Sequence, residues 1–197
     1  MTAVAGYRQP PDGTQTDAIG DVALAVTWLQ RHAVKVGGAP SCTVVIGHSA
    51  GALLAAHLAY DPQHLRGHGG KPVHAVALLG GLYDPEALLP HLDGDDAEGF
   101  QALYGRNKVA RARWDVLRRV QGGIAPTLVL AGTKEEPSLQ AQFRAMVGVL
   151  QATGAPHESA LLTGEDHMDL VPVDAKPVLD RLKPWLAAVA ARCKSLP

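Results

Sequence analysis

Three short stretches of this chain carry side chains that could perform nucleophilic chemistry together. The first is Gly47-His48-Ser49-Ala50-Gly51, a serine flanked on both sides by glycine at two positions' distance. A β-branched run, Cys42-Thr43-Val44-Val45-Ile46, precedes it, and an Ala/Leu-rich stretch from Ala52 to Ala59 follows. Strand, G-x-S-x-G, helix is the context of a nucleophile elbow, which lifts the serine hydroxyl above the sheet edge on a strained turn. Flanking side chains would collide in so tight a turn, so Gly47 and Gly51 are both expected to be glycine for steric reasons. Serine alone is a weak nucleophile and needs a base, which in turn needs an orienting carboxylate. Gly164-Glu165-Asp166-His167-Met168-Asp169 offers His167 as the base. Gly132-Thr133-Lys134-Glu135-Glu136-Pro137 offers Glu135 or Glu136 as the acid.

Such a set would carry out two-step acyl transfer. Ser49 attacks a carbonyl, His167 takes its proton, and the carboxylate fixes the imidazole tautomer. The backbone N–H of Ala50, with the positive end of the following helix, would meet the oxyanion. His48 is expected to point away from the nucleophile and to serve as a packing or pocket-lining group. His64 and His68 have an H-x-x-x-H spacing, but among Gly and Pro and without a third ligand they read as solvated, so no metal is expected. Asp166 and Asp169 lie too close to His167 in sequence to reach its ring and read as surface or supporting charges.

The elements that must position these residues alternate between strand and helix, which argues for an α/β fold with a mainly parallel sheet. Ala3–Tyr7 reads as a first strand. Helical spacing of Ile19, Val22, Ala23, Val26 and Leu29 predicts a helix from Asp17 to Val34, ended by Gly37-Gly38 and Pro40. Further strands are expected at Thr43–Ile46, Val73–Leu79, Thr127–Ala131 and His157–Leu162. Helices are expected after the elbow, from Ser138 (as the cap) to Thr153, and from Val173 to Arg192 with a kink at Pro184. In the irregular stretch between Gly80 and Gly123, a basic helix from Arg106 to Val120 is expected to turn Val109, Trp114 and Leu117 inward. Each candidate residue follows a strand, at the sheet end where open α/β folds place their sites.

The 197 residues are enough for one domain with one core. An apolar fraction of 47%, a net charge of −1 and few aromatics give no basis for nucleic-acid binding. No basic-then-apolar leader opens the chain, and no apolar run is long enough to span a bilayer. The two cysteines, Cys42 and Cys193, read as free thiols in a reducing compartment, so a cytoplasmic location is expected.

Several stretches resemble the α/β-hydrolase superfamily, in its esterase, carboxylesterase and kynurenine formamidase-like branch. They are Val4-Ala5-Gly6-Tyr7-Arg8, the Asp21-to-Trp28 helix, the elbow, Gly80-Gly81-Leu82-Tyr83-Asp84, the Glu135 loop and Glu165-Asp166-His167-Met168. The resemblance implies a three-layer αβα fold with no cofactor. It also implies a triad in the order serine, acid, histidine, with Glu135 favoured over Glu136 because it stands three residues after Gly132. Leu82 and Tyr83 are implied in the substrate pocket, with a plain core role as the alternative for Tyr83, and a lid is implied within residues 85–120. The implied substrate is a small ester or related amide, with an arylformamidase as the alternative; a weakly active or inactive protein with a binding role is a reading of another class. No His-Gly-Gly precedes the elbow, although such relatives use that motif for the oxyanion, and His68-Gly69-Gly70 comes after it. The chain therefore reads as an N-terminally truncated single domain, residues 1–197. A missing strand leaves a gap of about 10 Å beside the elbow strand. Ala3–Tyr7, an upstream segment or a second copy of the chain would have to fill it, or an apolar edge stays open.

Overall fold

Four short runs rich in Val, Leu, Ile and Ala form the sheet of the computed structural model, which describes residues 1–40, 42–171 and 174–194. Strands β1 (Val44–His48), β2 (Ala75–Leu79), β3 (Thr127–Gly132) and β4 (His157–Leu162) are all parallel and lie side by side in chain order. Parallel neighbours need crossover connections, and helices supply them. In chain order the helices are α1 (Gln15–His32), α2 (Ala50–Tyr60), α3 (Gln63–Arg66), α4 (Pro85–Leu88), α5 (Gly94–Tyr104), α6 (Lys108–Arg111), α7 (Pro137–Ala152) and α8 (Lys176–Lys194).

Alternation along the strands divides the core. Val76, Leu78, Val129 and Ala131 face α2 and α7, meeting Leu53, Ala56, Phe143, Met146 and Leu150. Ala75, Ala77, Leu79, Leu128 and Leu130 face the other way, onto Val178, Trp185 and Val189 of α8. Both faces of β2 and β3 are thus buried, as a parallel sheet requires. α1 packs Ala18, Ile19, Val22 and Ala23 against Leu54 and Leu58 of α2. The result is the three-layer αβα arrangement expected.

Several local expectations change. Ala3–Tyr7 is not a strand; it is irregular and largely exposed, because no backbone lies beside it to complete a ladder. Arg8 instead ties this segment to α1, with its guanidinium 2.8 and 2.9 Å from the Asp21 carboxylate. That contact pulls the Asp21 carboxyl down to about 2. β1 consequently has no neighbour on its outer side among the described residues, and Ile46 is 45% exposed beyond the reach of α8. Ala3–Tyr7 therefore does not fill the gap, and the β1 edge is unpaired among the described residues.

α1 begins two residues before Asp17. Thr14 and Asp17 form a reciprocal capping box that satisfies its first N–H groups. α7 starts at Pro137, with Glu136 at the cap position and Ser138 inside the helix; proline suits the first helical residue, whose N–H is unpaired anyway. α8 runs through Pro184, and Val173, the residue at which it was expected to begin, lies outside the described residues.

The basic stretch is not one helix. It breaks into α6 and two 3-10 turns, and Val109 is 75% exposed rather than turned inward. Three of its arginines pair with acids of the same chain: Arg111 is buried on Glu86 at 2.6 Å, Arg118 meets Asp115 at 2.6 Å, and Arg119 meets Asp61 at 2.5 Å.

The cysteines are not free. Cys42, just before β1, is disulfide-bonded to Cys193 in the last turns of α8, across 151 residues of sequence. This removes the free thiols from which a reducing compartment was inferred. No helix among the described residues is long and apolar enough to cross a membrane.

Candidate active site

The chain turns from β1 into α2 through a single residue, Ser49, at φ 55° and ψ −123°. It is the one non-glycine residue with positive φ among those described. Such a conformation costs on the order of 1–3 kcal/mol and persists only where surrounding structure imposes it. Two features impose it here. The Ser49 N–H donates to the Leu79 carbonyl at 3.0 Å, locking the elbow to the end of β2. The backbone of Gly51 also folds over Gly47 so closely that a Cβ at Gly47 would lie 2.2 Å from the Gly51 oxygen. The steric requirement holds for Gly47 alone, since a Cβ at Gly51 would meet nothing within 4 Å. The Ala50 N–H opens α2, where unpaired amides and the helix dipole favour negative charge.

Glu135 sits in the loop between β3 and α7. Its side chain is wholly buried. One carboxylate oxygen accepts from the Gly132 N–H at 3.0 Å, and the other accepts from Nδ1 of His167 at 2.5 Å. Donation from Nδ1 leaves Nε2 of His167 as the ring nitrogen able to take a proton. Glu136, the alternative acid, is exposed at the start of α7. The structure thus brings Glu135, and not Glu136, to His167.

His167 is held in a compact loop after β4. The Asp166 carboxylate accepts from the N–H groups of Met168 and Asp169 at 2.8 and 3.0 Å, and Asp169 accepts from the Asp166 N–H at 2.8 Å. Both aspartates therefore shape the loop and leave the imidazole to Glu135. The Gly132 backbone packs on this loop so tightly that a Cβ there would lie 2.2 Å from the Glu165 oxygen. Among the described residues no hydrogen bond joins the Ser49 hydroxyl to His167. In unliganded sites such contacts are often long and close only around a substrate.

Other residues contribute that sequence reasoning passed over. Gly80, at φ 50°, lies under the pair; a Cβ there would be 2.6 Å from a Glu135 carboxylate oxygen and 3.0 Å from Nδ1 of His167. Its position directly after a buried strand was the available signal. Gln142, buried on α7, clamps the chain after β2 by accepting from the N–H groups of Tyr83 and Asp84 at 2.9 and 2.8 Å. His48 does not point away from the site: its ring lies 4.5 Å from that of His167.

Leu82 and Tyr83, expected in the pocket, are core residues at 5% and 0% exposure, packed with α2 and α7. Burial raises the Tyr83 phenol well above its ordinary pKa. His64 is not freely solvated: its Nε2 is buried, 3.8 Å from Asp61, and its ring packs edge-on to His57. Among the described residues no group of three or more His, Cys, Asp or Glu side chains could hold a metal ion. Two cavities, of about 380 Å³ between α1 and α3 and about 240 Å³ at the start of β3 and β4, lie away from Ser49.

The pattern of a family described as alpha/beta hydrolase fold matches residues 2–170. An isoprenylcysteine alpha-carbonyl methylesterase of Arabidopsis thaliana is 24% identical over 185 residues, covering 86% of this chain and 43% of that protein. A probable counterpart from Oryza sativa subsp. japonica is 24% identical, with 86% and 44% covered. The chain thus spans less than half the length of these curated relatives. Among solved structures, esterase B of Lactobacillus rhamnosis superposes with a TM-score of 0.77 at 21% identity, over 96% of this chain and 65% of that one. An acetyl ester-xyloside bifunctional hydrolase of Caldicellulosiruptor lactoaceticus gives 0.75 at 17% identity, over 94% and 70%.

Proposed function

Because the chain belongs to the alpha/beta hydrolase fold family, we propose that it is a serine hydrolase cleaving a carboxylic ester, with Ser49 as nucleophile, His167 as base and Glu135 as the orienting acid. The observation that carries this reading is the Glu135–His167 hydrogen bond, formed at the same sheet end as a serine held at φ 55°. The Ser49 hydroxyl adds to the ester carbonyl while its proton passes to Nε2 of His167. Collapse of the tetrahedral species returns that proton to the departing alcohol and leaves an acyl-enzyme. Water, deprotonated by His167, then releases the acid and regenerates Ser49. Glu135 holds the imidazole orientation and stabilises the imidazolium formed in each half-reaction. The Ala50 N–H and the start of α2 face the developing oxyanion.

The presence of a methylesterase and an esterase among the similar proteins supports an ester rather than a formamide as the substrate of this chain. The open β1 edge lies beside the elbow, and an upstream segment or a second copy covering it would also reach the oxyanion side. Hydrolysis of p-nitrophenyl acetate against N-formylkynurenine tests the reaction class. Turnover of the ester well above that of the formamide is expected. Preference for the formamide would make the protein an arylformamidase, and release from neither would remove the enzymatic reading.

A further inference from the structure

The loop that carries His167 is fastened almost wholly to the β3 side of the molecule. Gly164 donates to the Thr133 hydroxyl at 2.9 Å, and Lys134 donates to the Glu165 carbonyl at 2.9 Å. The elbow is a separate body of chain, fixed to β2 through Ser49 and Leu79. A base and a nucleophile anchored on different elements need a connection that sets their separation. Among the described residues one hydrogen bond joins the histidine loop to the elbow. It runs from Nε2 of His48 to the backbone carbonyl of His167, at 2.9 Å across 119 residues of sequence. The two imidazoles lie against one another, with centroids 4.5 Å apart and planes tilted by 39°.

A carbonyl can only accept, so Nε2 of His48 carries the hydrogen. His167 is thereby held at two points, its ring by Glu135 and its main chain by the residue covalently next to Ser49. The strained backbone at Ser49 leaves little slack between those two neighbours. We propose that His48 is a positioning residue, whose hydrogen bond to the His167 carbonyl sets the distance from base to nucleophile; this rests on the reading of Ser49 and His167 as the reacting pair. The neutral imidazole is also favoured at His48. Burial lowers its pKa and so does positive charge on His167, while the hydrogen bond to His167 and the charge of Glu135 push the other way.

The role separates into a donor and a ring, and substitutions separate them too. His48→Gln keeps an N–H near the place of Nε2, His48→Phe keeps the ring without the donor, and His48→Ala loses both. The readout is the second-order rate at which a fluorophosphonate modifies Ser49. A misplacement of about 1 Å can cost on the order of 100-fold, so His48→Phe and His48→Ala should react about 10- to 100-fold more slowly. His48→Gln should recover most of the wild-type rate. The low-field Nδ1 proton of His167, followed by NMR, should persist in His48→Phe, because the Glu135 bond does not depend on the donor. A wild-type rate in His48→Phe, a His48→Gln as slow as His48→Phe, or loss of the low-field proton together with the rate would each overturn the positioning role alone. A wild-type protein that is never modified would overturn the serine-hydrolase reading, and this role with it.

Discussion

Glu135, in the loop after β3, has no exposed side-chain surface and accepts from two donors. Ser49, at the end of β1, stands on a strand bonded along one edge only among the described residues, two residues from an open Gly51 and three from an Ile46 that is 45% exposed. The proposed proton-handling half comes from the loops after β3 and β4: the Glu135 side chain is fully enclosed, while His167 is 27% exposed and its main chain is held by His48. In the other half, the substrate carbonyl of the proposed reaction would meet the Ala50 N–H and the start of α2, beside an edge that is unpaired among the described residues. Hydrogen bonds anchor the Glu135 and His167 loops at several points, whereas β1 carries the elbow with β2 on one side, α2 packed against it and the disulfide at its start. The two halves meet through Gly80, His48 and Ser49.

The largest effect that separates them is on turnover. Glu135→Gln keeps the shape of the buried acid but removes the charge that orients His167, and a loss of about 10³- to 10⁴-fold in kcat is expected. Glu136→Gln, one residue away and exposed, should leave kcat unchanged. Equal losses in both would break the assignment of the proton-handling half.

A smaller effect belongs to the edge. Replacing Cys42 and Cys193 together by serine should lower stability by about 2–5 kcal/mol, measured by urea unfolding. Hydrogen exchange should then rise more in β1 than in β3 or β4, because the disulfide pins α8 beside the open strand. Uniform acceleration across the sheet would contradict the difference in enclosure.

The smallest lies beneath the elbow helix. His57, 1% exposed at the far end of α2, is held at about 4 by burial, with Arg119 and His64 adding repulsion, against an ordinary 6.5. A depressed pKa means that the unfolded chain binds the proton first as pH falls. The stability His57 contributes is therefore complete above 6.5 and drains away as pH falls toward 4. Between about pH 7 and pH 5 the loss is about 2 kcal/mol, and His57→Phe should flatten that part of the urea profile. A profile identical to wild type would show that His57 carries no part of the acid sensitivity.

Legibility in the sequence followed the same division between local and distant. The elbow was readable because its strand, glycines and helix are consecutive, and the acid and histidine loops because each follows its own strand. The contact of His48 with His167 and the Cys42–Cys193 bond span 119 and 151 residues, and neither has a local signature. Ala3–Tyr7 has the composition of a strand, but a strand exists only with a partner, and position in the sheet is invisible along the chain. Arg111 carried a charge that suggested solvent; its burial depends on Glu86, 25 residues away. Tyr83 could have lined a pocket or the core, and the fold of α7 over it decided for the core.

The central claim is that Ser49 is a nucleophile activated by His167. Fluorophosphonate treatment of the wild-type chain, followed by peptide mass mapping, tests it most directly. One adduct on Ser49 is expected, absent from Ser49→Ala and from a folded His167→Ala. An unmodified wild-type protein, or an adduct on Ser49 that forms at the same rate in His167→Ala, would contradict it.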